Sequence, residues 1–582
     1  MQHYMFDWAE YSVFIMMLTL SALIGLYFGC FRSEQNSEFV YLLGGKSMTT
    51  IPIAVSLVSS YISAITLLGV PTEIYTNGTQ FFLANVTNII VGIVTAVIYL
   101  PVFYKLQLVS LYEYLELRFS HSVRLIASFM NTVSLITFIP IVIYGPALAF
   151  NQVSGVPVHV ISPIICLVCI FYTTLGGLKA VVWTDTLQGA LMLMATAAIA
   201  LIGLHKVGGL NNVIQAAKEG NRIEFFNFDP DPTARLSFWS LIFGLSFTWT
   251  AQLAVNPGVV QRFIALPTYR QAQWSIILMT IGVDVFAMLT MTIGMIMYAE
   301  YQTCDPLKAK VINRADQILP HFVLDVAGKI KGLPGLFFAG IVSAALSTMS
   351  TSLNTLAATI FKDFIVPYMQ QKTIEDSASM ILKLIVIVTG IICTLFILVI
   401  ENLGHILEMA SSFGGMTTGA SLGIFTLGIL FPRANNWGAL GGGLVSMLLM
   451  SWIFIGNQVV TALGLINYPA KPTRIDGCTN LTAFEIHNIS SMNAAAALNS
   501  TTNGDVFYLY KISVFHYGLI SCLLVILVGM PISLLTGKNH QIPHHDLLSP
   551  LLHKWLPATQ TEVSTSEVSL RRMEDRDHIE SV

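Results

Sequence analysis

Apolar runs of about 20 residues recur along the whole chain, each long enough to cross a bilayer as a helix. The length rule marks about thirteen, near residues 10–30, 48–70, 81–103, 124–150, 158–178, 184–207, 238–263, 271–299, 334–361, 379–401, 404–431, 437–459 and 512–536. Lipid offers backbone groups no partner except one another, so such runs commit the chain to a helical bundle. Only 10% of the 582 residues are charged and 54% are hydrophobic, against roughly 25% charged in a soluble protein. The expected fold class is an all-α polytopic membrane protein, with the lipid bilayer as its first partner. The net charge of −3, without any basic patch, excludes nucleic acid. Asp7 and Glu10 stand where a removable signal would be basic, so the first run reads as a retained helix.

Basic residues flank the short loops at 105–124, 179, 262–270 and 433, and all four fall on one face if the N-terminus is outside. The expectation is a multi-pass plasma-membrane protein with an extracellular N-terminus and a cytoplasmic C-terminus. The loop 302–332 dissents, being external yet basic, and should hold short helices of its own. The sequons at Asn77, Asn480, Asn488 and Asn499 lie in loops that the same scheme puts outside, the last three within 460–511. Of the 7 cysteines, Cys304 and Cys478 fall in external loops. An oxidising exterior makes them a disulfide candidate, and two unpaired thiols are the equal alternative. The polar stretch 538–582 reads as a disordered cytoplasmic tail. Its end, Glu580-Ser-Val582, would suit a scaffold protein that captures C-termini, with chance as the stronger account.

Acids inside the runs are few: Asp185, Asp284 and Glu408. No arginine reads as facing the core. The chain instead uses hydroxyls, amides and glycines, concentrated in "SMTTIPIAVSLVSSYISAITLLG", "SLSFTWTAQLAVNPGVVQRF", "SAALSTMSTSLNT" and "ASSFGGMTTGASLG". No metal-ligand spacing, phosphate loop or nucleophile motif is present, so an enzyme is not expected. With the first run set aside, the interrupted runs are the first and sixth of roughly ten, matching positions in two halves of about five. Discontinuous helices so placed expose carbonyls to cations and helix N-termini to anions. The glycines of the eleventh run should weaken a regular helix there.

Any single hydroxyl is accounted for by a bond to the carbonyl one turn back. Small residues likewise serve close helix contact. That account strains where Ser343, Ser347, Thr351 and Asn354 share one stripe. Neutral oxygens without carboxylates suit a monovalent hard cation, sodium above all. Ser347 and Thr348 would give side-chain oxygens and the broken run around Ser59–Ile62 backbone oxygens.

At these residues the chain resembles the sodium/solute symporter family. The likeness is carried by "GGLKAVVWTDTLQG" (Gly176–Gly189), "SLYEYLELRF" (Ser110–Phe119), "VQRF" (Val260–Phe263) and "ALSTMSTSLNTLAATIFKDF" (Ala345–Phe364), and spans roughly Asp7 to Gly537. "IYGPALAFNQVSG" (Ile143–Gly155) and "GVPTEIYTNGTQ" (Gly69–Gln80) look like the monocarboxylate, multivitamin and iodide branch. The resemblance implies a leucine-transporter-like 5+5 inverted repeat with one extra N-terminal and two extra C-terminal helices. Residues 1–30 would form the extra first helix, 48–207 and 238–431 the repeats, and 437–537 the last two helices. It implies sodium as coupling ion, held by the Ser347 and Thr348 hydroxyls and the Ser59, Ile62 and Ala344 carbonyls, with Asp185 along the inner exit path. For the solute it suggests Thr66, Tyr144, Trp249, Gln252 and Asn256. Thr66 and Asn256-Pro257 depart from the family pattern, against iodide and toward a small organic anion as partner. Trp249 as a packing aromatic is the even alternative. The expected function is sodium-coupled import of such an anion; the alternative is a non-transporting sensor or leak channel on the same fold.

Overall fold

A computed structural model describes residues 6–31, 41–42, 44–46, 48–108, 110–312, 314–369, 371–400, 406–466, 468, 471–478, 506–537 and 543–556, without the side chains of 31, 371–376, 399–400 and 406–413. Asn480, Asn488, Asn499, Glu580–Val582 and the Glu408 side chain lie outside the described residues. Among the described residues the chain is helical without strands. Among the same described residues, nine helices are long and apolar enough to cross a membrane, or ten if one bent pair is a single span.

Helix α1 (Trp8–Leu26) starts with a capping box between Asp7 and Glu10. Glu10 is buried, and its second oxygen accepts from the Gly332 amide at 2.9 Å, tying the N-terminus to the head of a later helix. The run 48–70 is two helices, α2 (Thr50–Tyr61) and α3 (Ala64–Asn77), bent by 58°. Ile62 and Ser63 are extended at the break. Then come α4 (Thr79–Leu106), α5 (His121–Ser154) and α6 (Val158–Val207). The runs 158–178 and 184–207 lie end to end in α6, interrupted at Gly177 (φ 52°, ψ −153°). A Cβ at Gly177 would meet the Tyr41 ring and carbonyl at 2.9 Å, so positive φ and close approach both demand glycine.

A short helix, α7 (Leu210–Glu219), precedes the second interrupted run, which divides into α8 (Leu245–Ala254) and α9 (Pro257–Ile264). Asn-Pro-Gly makes this break. Asn256 caps α9, its Oδ1 accepting from the Gly258 amide at 2.9 Å, and Pro257 fills the first helical position, where no donor is needed. Next are α10 (Tyr269–Glu300), α11 (Ile318–Ala327) in the basic loop, and α12 (Leu333–Thr359), which carries the hydroxyl stripe. α12 is buried along almost its whole length, hydroxyl stripe included, and packs against α6, α5 and α1. Helices α13 (Gln371–Ile400), α14 (Ile406–Leu430), α15 (Asn436–Ala462) and α16 (Tyr517–Thr536) complete the bundle.

Two features depart from expectation. The eleventh run forms the continuous helix α14 despite its glycines. A Cβ at Gly419 would come within 2.8 Å of the Gly518 carbonyl, and one at Gly423 within 2.6 Å of Val525, so these glycines let α14 lie close against α16. Within the stretch read as a disordered tail, residues 543–556 form short turns docked on the bundle. Tyr114 donates to the Leu547 carbonyl at 2.9 Å, the Ser549 amide donates to the Ile429 carbonyl at 3.1 Å, and Lys105 pairs with Asp546. Leu548, at 1% exposure, supplies the apolar anchor.

At another margin, Cys304 and Cys478 are joined in a disulfide with Cα atoms 4.9 Å apart. The Asp305 amide donates to the Arg474 carbonyl at 2.8 Å beside it. Buried Arg222 donates to the Tyr75, Thr76 and Pro472 carbonyls, with its guanidinium over the Tyr298 ring at 4.3 Å. The segment 471–478 is thus fastened to the end of α3. Asn77 is partly buried there, its side-chain nitrogen donating to Glu73 at 2.8 Å, and the sequon's Thr79 is buried.

Candidate ion and solute site

A helix end leaves carbonyls without intrahelical partners. At the end of α2, the Ser60 carbonyl accepts from the Thr348 hydroxyl of α12 at 3.2 Å. The same hydroxyl donates toward the Ala344 carbonyl at 3.0 Å. Thr348 therefore stands between an ordinary back-bond and the broken helix. Ser347 is fully buried, with its Oγ 3.2 Å from Ser60 Oγ. Ser59 turns its own hydroxyl away, toward Met192 Sδ at 3.8 Å, so its contribution to this spot is confined to its carbonyl. Ser343 Oγ and Asn354 Oδ1 are buried without a hydrogen-bond partner, whereas Ser350 and Thr355 make local back-bonds. The stripe thus divides between residues that packing explains and residues that it does not.

Ser60 is the hub. Its hydroxyl donates to Asp185 Oδ2 at 3.1 Å, accepts from Arg262 Nη1 at 2.9 Å and lies 3.0 Å from Thr351 Oγ1. One proton and two lone pairs cannot serve four oxygen and nitrogen neighbours at once. Asp185 Oδ2 also accepts from Ser56 at 2.8 Å and from Arg262 Nη2 at 2.8 Å. Arg262 and Asp185 are both completely buried, so the sequence expectation that no arginine faces the core is corrected. Arg262 had counted as a flank of a basic loop. It lies instead on α9, which follows the Asn256 cap and carries the guanidinium beneath the end of α2. Unpaired charge inside a bilayer costs about 2.5–3.5 kcal/mol by insertion scales, and pairing with hydroxyl support is what makes this pair tolerable.

Both breaks open on a cavity of about 240 Å³. Its wall includes Ser60, Ile62, Thr66, Trp249, Gln252, Asn256, Thr348 and Thr351, so the interrupted helices and the hydroxyl stripe meet at one space. Trp249 stands edge-on to Tyr61, ring centroids 6.2 Å apart. Tyr144 is elsewhere, its hydroxyl accepting from Arg314 at 3.5 Å. Sequence reading passed over Asn88, Asn131, Ser134 and Tyr61, which also line the cavity. It noted Asp284 only as an isolated acid, though that residue lines the same wall. Asn88 and Asn131 sit in runs whose average polarity is low, and only the period that puts Asn85 and Asn88 on one face was available as a signal.

The profile of the sodium:solute symporter family matches residues 41–446. The sodium-coupled monocarboxylate transporter 1 of Xenopus laevis is 37% identical over 547 residues, covering 93% of this chain and 87% of that protein. The sodium/iodide cotransporter of Homo sapiens is 34% identical over 570 residues, covering 95% of this chain and 86% of that one. A solved structure of a Na+-coupled sialic acid symporter, substrate-bound and outward-open, superposes with a TM-score of 0.72 at 25% identity, over 91% of this chain and 98% of that one. These relatives are sodium-coupled transporters, not enzymes, and they make sodium the implied coupling ion. The chain belongs to the sodium:solute symporter family.

Proposed function

We propose that this protein is a secondary-active symporter that carries a small organic anion inward across the plasma membrane with sodium, by alternating access. In this reading it has thirteen spans, two five-helix repeats of opposite orientation beginning at α2 and α8, and an extracellular N-terminus. The observation that carries the reading is the Thr348 hydroxyl meeting the Ser60 carbonyl at the α2 break, on the wall of the cavity.

Sodium takes the hydroxyls of Ser347 and Thr348 with the carbonyls of Ser59, Ile62 and Ala344. That set clamps α12 to the end of α2. The clamp is the coupling: the residues that follow the break, Ser63 and Thr66, also line the solute space. Ion binding therefore fixes the geometry that the solute needs. Ser63 gives α3 no side-chain cap; its carbonyl takes the Thr66 amide at 3.0 Å, and the Ala64 and Ile65 amides are left for a solute carboxylate. Gln252, Asn256 and Trp249 supply the rest of the contact. A cavity of 240 Å³ is below the usual range for drug-sized ligands, roughly 300–1,000 Å³, and favours a solute of a few carbon atoms. The pair of Arg262 and Asp185 lies beyond the sodium position and marks the inner exit.

Tracer uptake with lactate, pyruvate, nicotinate, biotin and iodide, in sodium and with sodium replaced by choline, tests the reading. A symporter accumulates at least one of these above equilibrium in sodium only. Equilibration without accumulation would identify a leak channel, and sodium-dependent conformational change without uptake a sensor.

A further inference from the structure

The cavity wall contains a carboxylate whose charge no described residue beside it balances. Asp284 lies midway along α10 and lines the cavity. Its Oδ1 accepts from the Asn88 side-chain amide at 2.9 Å, and that amide also donates to the Thr280 carbonyl at 3.2 Å. This contact aims the carboxylate without neutralising it. Among the described residues no Lys, Arg or His lines the cavity. Arg262 is committed, its terminal nitrogens being on Ser60, Thr351 and Asp185.

The surroundings of Asp284 are those of a site and not of a packed seam. Asn85, one turn before Asn88 on α4, contacts Met288, one turn after Asp284 on α10. Its Oδ1 is buried with no hydrogen-bond partner. Tyr61 Oη, on the α2 break, is likewise buried and unpartnered, and both residues line the cavity. An amide oxygen and a phenol oxygen can each accept from a donor or coordinate a cation.

We propose that Asp284 anchors a monovalent positive charge that enters the cavity together with the solute. This rests on reading the cavity as the solute site. An anion sharing so small and poorly screened a space with an unbalanced carboxylate is repelled, and the repulsion is larger than it would be in water. A cation lying between the two carboxylates turns it into attraction. The positive charge is either a second alkali cation or an ammonium group belonging to the solute itself; both present the same chemistry to Asp284. The position is distinct from the Thr348 site, which is built from neutral oxygens.

The test uses the full chain in oocytes, with current and tracer uptake recorded together, for plain monocarboxylates (lactate, pyruvate) and for zwitterions (a betaine, an amino acid). If the cation is sodium, wild-type uptake of a monocarboxylate carries one net positive charge, and Asp284→Asn removes that charge and lowers the Hill coefficient for sodium. If the cation is an ammonium group, zwitterions are preferred by the wild type, and Asp284→Asn loses them by about tenfold or more while monocarboxylates are kept. Asp284→Glu preserves either behaviour. Asp284→Asn with unchanged charge per solute, sodium dependence and solute preference overturns the proposal. Should that variant fail to reach the surface, the wild type decides: electroneutral monocarboxylate uptake with no zwitterion uptake also overturns it. Failure of the symporter reading looks different, as absence of any sodium-dependent uptake by the wild type.

Discussion

Arg262 reaches Asp185 at 2.8 Å across 77 residues of sequence, and neither side chain is exposed. Removing one partner strands the other charge inside the bundle. Arg262→Ala or Asp185→Ala should each lower stability by about 3–5 kcal/mol. The double variant should recover part of that loss, because it strands nothing. Thermal unfolding of detergent-purified protein checks this; strictly additive losses would mean the two residues do not act as a pair.

Thr348→Ala deletes the hydroxyl that faces the α2 break and leaves the backbone of α12 intact. The sodium concentration for half-maximal uptake should rise by up to about tenfold, the equivalent of one hydrogen-bond-scale contribution, with surface expression unchanged. Sodium-titrated uptake on biotinylation-normalised cells is the measurement, and an unshifted titration would remove Thr348 from the ion site.

Gln252 lines the cavity and has its amide facing the α14 side, 3.6 Å from the position a Gly414 Cβ would take. Gln252→Ala should raise the KM for the solute several-fold, about 0.5–1.5 kcal/mol of lost polar contact, with little change in the sodium titration at saturating solute. Equal effects on both would point to a folding defect instead of a solute contact.

The disulfide closes a loop of 174 residues. Cys304 and Cys478 should resist maleimide labelling until reductant is added. Cys304→Ser should cost about 2–5 kcal/mol of stability, seen as a lower unfolding temperature and as loosened protection of the segment 471–478 against protease. Immediate labelling of the unreduced protein would show two free thiols.

Truncation tests what the docked segment 543–556 contributes. Ending the chain after Leu556 keeps the bonds from Tyr114 to Leu547 and from Ser549 to Ile429 and should leave stability unchanged. Ending it after Gly537 removes both along with buried Leu548, and should lower the unfolding temperature by a few degrees, roughly 1–3 kcal/mol for one buried apolar side chain. Identical melting of the two truncations would mean the segment contributes nothing.

The hydroxyl stripe and both helix interruptions were legible in the sequence because each is a local signal. Asn-Pro-Gly announces a cap, and clustered oxygens in an apolar run announce something other than lipid. Arg262 was not legible. An arginine next to a short loop reads as a cytoplasmic flank, and only the turn of α9 back under α2 shows that it is buried. Its partner lies on a different helix, and nothing local couples them. The Asp284 site was half legible: an acid within a run is conspicuous, but Asn88 becomes its partner only when α4 and α10 are laid side by side. Residues 543–556 were misread because they were averaged into the polar stretch 538–582, although they hold five leucines and a tryptophan; backbone carbonyls and buried Leu548 dock them on the bundle's surface.

Gly177 has a consequence for the whole polypeptide. As one unbroken helix, α6 would measure about 75 Å at 1.5 Å per residue, more than twice the roughly 30 Å of a bilayer's hydrocarbon. The thirteen-span reading needs two passages there, and a single one would reverse the parity of the chain and put every later loop on the opposite side. In that reading the turn that only glycine's backbone can satisfy is what separates the two passages, so sidedness as well as packing hangs on Gly177.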